Sequence, residues 1–289
     1  MNPVARDLHS RIEYYIKNMP SLPTSVAKVL EVCNNPQTSP ADLNHVISLD
    51  PVLVGRVLKL INSAYYGLGQ QVTNLVKAII MLGINTVKNL ALSSAVLGNF
   101  TSRKNGSGLD MAGFWRHSLC VGVAAKAIAK KRNIDIKQRE EYFTAGLLHD
   151  IGKIPLNAVT GDNYLLTVQE SDRERVSLVR VEDRNLGLDH CAAGAMIAAA
   201  WKLEGAVGDV IVFHHSYQEY ADSYTDVLYT TLLANRFASQ REIGFSGDRY
   251  PEKPGPEVWE ALGLTPEIFE EIEPMVNSEI EKAEVFLKI

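Results

Sequence analysis

Seven histidines occur in this 289-residue chain, and five of them, His117, His149, His190, His214 and His215, fall between positions 117 and 215. An imidazole can bind a divalent transition ion, move a proton near neutrality, or take part in a structural hydrogen bond. One carboxylate narrows the choice: His149 is followed directly by Asp150 in EEYFTAGLLHDIGKI. Imidazole nitrogen beside carboxylate oxygen is a donor set suited to Zn, Mn or Fe(II). A carboxylate can also bridge two ions about 3.5–4 Å apart in phosphoryl-transfer sites. Lys153, just beyond, supplies a cation able to pair with a phosphate.

An isolated His-Asp pair is common, and a histidine at the end of a core helix is more often a hydrogen-bonded residue than a ligand. Number and place shift that balance. His117 lies in FWRHSLCVGVAAKAIAKK and reads as opening a helix. His190 opens LDHCAAGAMIAAAW, His214 and His215 close AVGDVIVFHH, and His149 closes the segment before Gly152, read as a helix terminator. All four segments are strongly apolar, so four core-helix ends from one block carry imidazoles. Metal binding is the favoured reading.

The elements that must position these groups read as helices. Val26, Val29, Leu30 and Cys33 stand at i, i+3, i+4 and i+7, one helical face. Ser39-Pro40 and Asp50-Pro51 are helix starts, a capping residue followed by proline in the first turn. Alternating β-branched patterns of useful length are absent, so the chain is expected to be all-α. The polar, glycine-containing stretch within Thr101–Asp110 suggests a linker, and GFSGDRYPEKPGPE after Ile243 suggests a second break. The resulting organisation is residues 1–105, an N-terminal helical half; 106–242, a helical core with the candidate site; and 243–289, a helical extension with Glu279, Glu281 and Glu284 on its solvated face. The Lys126, Lys130, Lys131, Arg132 run reads as a solvated helix end favoured by the dipole.

Composition removes several function classes. Lys plus Arg is 29 against 34 Asp plus Glu, a net charge of −5, which argues against a broad nucleic-acid face. Three scattered cysteines without a CxxC pair argue against a zinc ribbon, redox dithiol or disulfide framework. The longest apolar run, Cys191–Trp201, is far short of the roughly 20 residues of a membrane-spanning helix, and the N-terminus lacks a secretory apolar region. No nucleic-acid partner, no membrane partner and a cytoplasmic location are the expectations.

His117, the His149-Asp150 pair in HDIGK, and the later His190, His214 and His215 resemble the HD superfamily of metal-dependent phosphohydrolases. That resemblance implies an all-α multi-helix bundle holding one or two divalent ions (Fe, Mn or Zn, with Mg admissible). It implies one ion on His117, His149 and Asp150, and a second on His190, His214 and His215, with Asp150 bridging. The N-terminal half is similar to the HDOD family, the HD-related output domain of bacterial signalling. The shared features are Leu22-Pro23, the Ser39-Pro40 start, Asp50-Pro51, Asn62-Ser63-Ala64 with Tyr66-Gly67, MLGINTVKNLAL, and Glu182 followed by LGLDHCAAGAMIAAAW.

Two departures bear on function. Where catalytic HD enzymes carry a late aspartate ligand, TTLLANRFASQ offers Asn235, a neutral and poorer donor. SYQEYADSY after His215 lacks the Gly-Tyr-Pro element of the HD-GYP branch, which disfavours cyclic di-GMP hydrolysis. The resemblance therefore implies a signalling output module with a retained metal site, a protein partner and a possible small phosphorylated ligand. The alternative is an active phosphohydrolase on a nucleotide or other phosphoester, with Asp150 and Lys153 in catalytic roles.

Overall fold

A computed structural model of the chain describes residues 3–19, 22–100 and 108–288. All regular elements among the described residues are helices. Most of the linker expected at Thr101–Asp110 lies outside them. The N-terminal part comprises α1 (Pro3–Asn18), α2 (Thr24–Cys33), α3 (Pro40–Ser48), α4 (Pro51–Ile61), α5 (Leu75–Leu82) and α6 (Ile84–Phe100). Then come α7 (Met111–Lys131), α8 (Arg139–Leu148), α9 (Lys153–Thr160), α10 (Asp162–Glu174), α11 (Leu178–Leu186), α12 (His190–Trp201), α13 (Ala206–Phe213) and α14 (Thr225–Gln240). The chain closes with α15 (Pro256–Leu262) and α16 (Ile268–Ala283).

The helix starts read from the sequence have physical counterparts. Ser39 and Asp42 form a reciprocal capping box at α3. Asp50 caps α4 through the backbone N–H groups of Val52 and Leu53, and its other oxygen accepts from Ser25 of α2 at 2.6 Å. One carboxylate thus satisfies two orphan amides, each cap being worth on the order of 1 kcal/mol, and joins two helices. No single described helix is long and apolar enough to cross a membrane; α5 and α6 would be so together, but they bend by 115° at Gly83.

The long helix α7 is buried on nearly all sides, from Phe114 to Ala129, and packs against α8, α14 and α16. Helices hydrophobic all round belong in a core. Its approach to α8 depends on two facing glycines. A Cβ at Gly122 would stand 2.7 Å from the Phe143 carbonyl oxygen, and one at Gly146 would stand 2.9 Å from the Gly122 backbone. Any side chain at either position would force the two helices apart and displace the end of α8, where His149 sits. Helix α8 also packs against α6 and α13, and α1 lies across α9 and α12.

Candidate metal centre

Six helices, α7, α8, α9, α12, α13 and α14, bring the candidate residues together. His117 stands seven residues into α7 rather than at its opening, because Asp110 caps the helix earlier, accepting from the amides of Ala112 and Gly113. His149 follows the last residue of α8, and Asp150 lies in the tight turn into α9. His190 is the first residue of α12, capped by Asp189. His214 follows the last residue of α13, and Asn235 lies on α14. His117, His149, Asp150, Lys153, His190 and His214 are all buried, and His215 is half-buried.

Gly152 has a different role from the helix terminator read in the sequence. It precedes α9, and a Cβ there would lie 1.9 Å from the carbonyl oxygen of His190 and 2.5 Å from the amide of Gly194. The turn bearing Asp150 therefore touches the backbone of α12 directly, and this contact brings His190 within reach of Asp150.

The hydrogen bonds determine where the imidazole lone pairs are. His149 Nδ1 lies 2.8 Å from the Gly146 carbonyl and His214 Nδ1 lies 2.9 Å from the Val210 carbonyl. A carbonyl only accepts, so both Nδ1 atoms carry the proton and both Nε2 atoms present lone pairs. His190 Nδ1 donates to Glu182, which also accepts from the His190 amide and from the Tyr164 hydroxyl. A buried carboxylate behind a ring N–H is a common support for a metal-binding histidine.

These Nε2 atoms converge on Asp150. Its Oδ1 lies 3.3 Å from His190 Nε2 and 3.5 Å from His214 Nε2, and its Oδ2 lies 3.3 Å from His149 Nε2. His190 and His214 Nε2 face one another at 3.3 Å. Asp150 Oδ1 and His149 Nε2 are buried without a hydrogen-bond partner. Acceptors facing acceptors in a buried space call for a cation. The donor set therefore fits a divalent ion. One potential ligand group is His190, His214 and His215; another is His117, His149 and Asp150.

The second group is the weaker of the two. His117 Nε2 lies 2.9 Å from Asn235 Oδ1, which engages the ring nitrogen a metal would need. Lys153, itself buried, donates to Asp150 Oδ2 at 2.6 Å and to Ser246 at 3.4 Å, so one carboxylate oxygen already has a cation beside it. Burial opposes ionisation of Asp150, but His149 and Lys153 outweigh it and hold the carboxyl well below its usual range. Burial likewise opposes the Lys153 ammonium, yet Asp150, Asp248 and Glu182 keep its pKa raised. For His190, burial is outweighed by Glu182, and the ring holds a proton more tightly than usual; with Nδ1 given to Glu182, that proton sits on Nε2 facing Asp150, where it is the cation a metal ion would replace. Burial and the neighbouring His149 push His117 down to about 4.

Several residues of this centre carry no site signal of their own in the sequence. Glu182 reads in the sequence only as part of the family pattern; an acid eight residues before His190 is the signal, and its burial is visible only in the structure. Ser246 and Asp248 lie in the Gly- and Pro-rich stretch that reads as a mere break. Ser246 contacts Lys153, while Asp248, buried itself, accepts from the Leu178 amide.

The comparisons with known proteins agree with this architecture. A Treponema pallidum protein of no assigned activity is 26% identical over 221 residues, 76% of this chain. The chain spans only 42% of the length of that relative. A crystal structure of an HDOD domain protein of unknown function from Geobacter sulfurreducens matches with a TM-score of 0.73 at 22% identity, covering 96% of this chain and 97% of its own. A Shewanella amazonensis protein with a provisional phosphohydrolase name matches with a TM-score of 0.69 at 24% identity, covering 96% and 98%. Identity at that level establishes a shared fold. The family model for the HDOD domain matches residues 19–217, well over half the chain. With the helical order and the histidine cluster, that match shows that this chain belongs to the HDOD family.

Proposed function

We propose that this chain is a signalling output module in which the buried histidine–carboxylate cluster holds one divalent ion as a staple between α8, α12 and α13. One observation carries the reading: the Nε2 atoms of His190 and His214 face Asp150 Oδ1, which no donor reaches, and His149 Nε2, also without a partner, lies beside the other oxygen of the same carboxylate. These four residues, with His215 at the edge, would hold the ion; Fe, Mn or Zn suits such donors. When bound, the ion supplies positive charge and Lewis acidity at the point where the three helices meet. Glu182 orients His190, the Gly146 and Val210 carbonyls orient His149 and His214, and Lys153 neutralises the oxygen of Asp150 turned away from His190. Surface helices would then present the stapled state to a protein partner.

Turnover of a phosphoester is the second reading, supported by the retained histidines and by Lys153. Two observations favour the module. Asn235 stands where a carboxylate ligand would strengthen the site. The cleft that reaches His215, about 240 Å³, is lined by Asp183, Asp189 and Glu252 against the single cation Arg180, which pairs with Glu252 at 2.6 Å. An acidic mouth repels a phosphate dianion.

The test is metal content of freshly purified protein together with phosphate release from nucleotides, cyclic dinucleotides and aryl phosphates. One ion per chain, lost in His190→Ala, with no release above a His149→Ala/Asp150→Ala control, is expected. Release well above that control supports the enzyme instead, and metal-free wild type overturns both readings.

A further inference from the structure

A second polar cluster lies at the opposite end of α8 from His149. Lys126 of α7 donates to Glu140 at 2.7 Å, and Glu140 is 2% exposed. The Lys126 ammonium lies over the rings of Tyr65 and Tyr66, 4.4 and 4.9 Å from their centroids. This corner adjoins a cavity of about 430 Å³ between the N-terminal helices, α7 and α16. Pockets of a few hundred cubic ångströms with apolar walls and a few convergent polar groups are the usual form of small-molecule sites.

The walls specify a ligand. Leu82, Val123 and Met275 make one side apolar. Met81 and Ile136, at the rim, are 47% and 68% exposed, large apolar surface left to water. On the inner side, Glu140 Oε1 and the hydroxyls of both Tyr65 and Tyr66 are buried without a hydrogen-bond partner at bonding distance, an arrangement costly enough to call for one. The charges are unevenly answered. Lys126 is neutralised by Glu140, and Glu279 pairs with Lys282 at 2.9 Å. Lys130 and Arg139 also line the cavity, and their side chains hydrogen-bond to the Met275 sulfur and the Ile134 carbonyl rather than to an acid. Neither has a carboxylate partner among the described residues. In a chain of net charge −5, two unneutralised cations beside an apolar cavity mark an anion-binding edge.

We propose that this cavity is a binding site, separate from the metal centre, for a small amphiphilic anion. The ligand has an apolar or aromatic body against Leu82, Val123 and Met275, an N–H or O–H donor facing Glu140 Oε1, and an anionic group facing Lys130 and Arg139. The cavity is too small for a two-chain lipid. The site joins three parts of the chain: α7 and α8, which also lead to His117 and His149, the N-terminal helices through Tyr65 and Leu82, and α16 through Met275.

Anilinonaphthalene sulfonate carries all three features, and N-phenylnaphthylamine lacks only the anion. Both would be titrated by fluorescence into the full-length, metal-loaded protein. The expected result is saturable one-to-one binding of the sulfonate, weaker binding of the neutral analogue, and a loss on the order of tenfold in Lys130→Gln/Arg139→Gln, the effect of removing two solvent-screened charge contacts, one exposed and one half-buried. Met275→Trp, which fills the cavity, should abolish binding. The thermal midpoint of each variant checks its fold, and if Met275→Trp is unfolded the charge variant decides alone. Absence of saturable binding, or equal affinity of the sulfonate for wild type and the charge variant, overturns the proposal.

Discussion

The two ends of α8 solve one physical problem in opposite ways. At its start, a buried carboxylate, Glu140, is matched by a cation from the chain itself, Lys126. At its end, Asp150 is matched by Lys153 on one oxygen, while its other oxygen faces two imidazole lone pairs and no donor. The first cluster is closed by protein charge, apart from the single carboxylate oxygen left without a donor. The second is left one cation short. Burial does not distinguish them, since both carboxylates are almost fully enclosed. The distinction lies in counting donors against acceptors, and a metal reading should follow that count rather than the presence of histidine alone.

Removing Asp150 should produce the largest effect. In metal-free protein, Asp150→Ala leaves the Lys153 ammonium buried and unpaired, and unfolding by urea should show a loss of about 3–5 kcal/mol. Asp150→Ala/Lys153→Met should recover most of it. Equal stability of the single and double variants would show that Lys153 is not held by that charge. Chelation should come next: stripping an ion present at about a hundred times its dissociation constant costs roughly 2.7 kcal/mol. The thermal midpoint should therefore fall in wild type and stay fixed in His190→Ala.

Glu140→Gln should cost less, about 1–2 kcal/mol, because Lys126 is a quarter exposed and can turn toward water once its partner is neutral. Chelator should not change that loss, since no ion is expected at this end. The smallest effect should come from Asp226, which accepts two hydrogen bonds from Arg132 and one from the Tyr142 hydroxyl. Burial opposes its ionisation, but Arg132 and Tyr142 prevail and lower its pKa. A carboxyl depressed in the folded state contributes stability above its unfolded pKa and loses it as pH falls through the folded value. The stability of wild type relative to Asp226→Asn should thus decline in acid, by no more than about 1 kcal/mol because the group is partly exposed.

The same comparison shows what the sequence could reveal. Helix caps such as Ser39 and Asp50 are local, since a side chain bonds an amide two or three residues on, and they were readable. The histidines were readable because polar residues at the ends of apolar runs stand out. Lys126 was not. It reads as part of a solvated basic run, because its partner Glu140 is brought near only by the turn between α7 and α8. Arg132 in the same run is likewise tied to Asp226, 94 positions away. Glu279, expected on a solvated face, is half-buried beside the cavity. Periodicity reports which face of a helix is apolar, but not which charged groups meet across two helices. The site's supporting shell, Glu182, Ser246 and Asp248, depends on contacts of that second kind.

Gly152 contributes no donor and no charge, yet the alignment of the two halves of the centre depends on its missing side chain. Asp150 and His149 ride on one side of the contact and His190 on the other, with the backbone of α12 resting where a methyl group would be. A single added carbon there acts as a shim. It leaves every ligand in the sequence while moving half of them out of register, much as a spacer under one hinge keeps a latch from meeting its plate. Gly152→Ala therefore separates having the right residues from having them at the right distance, a separation that deleting a histidine cannot make.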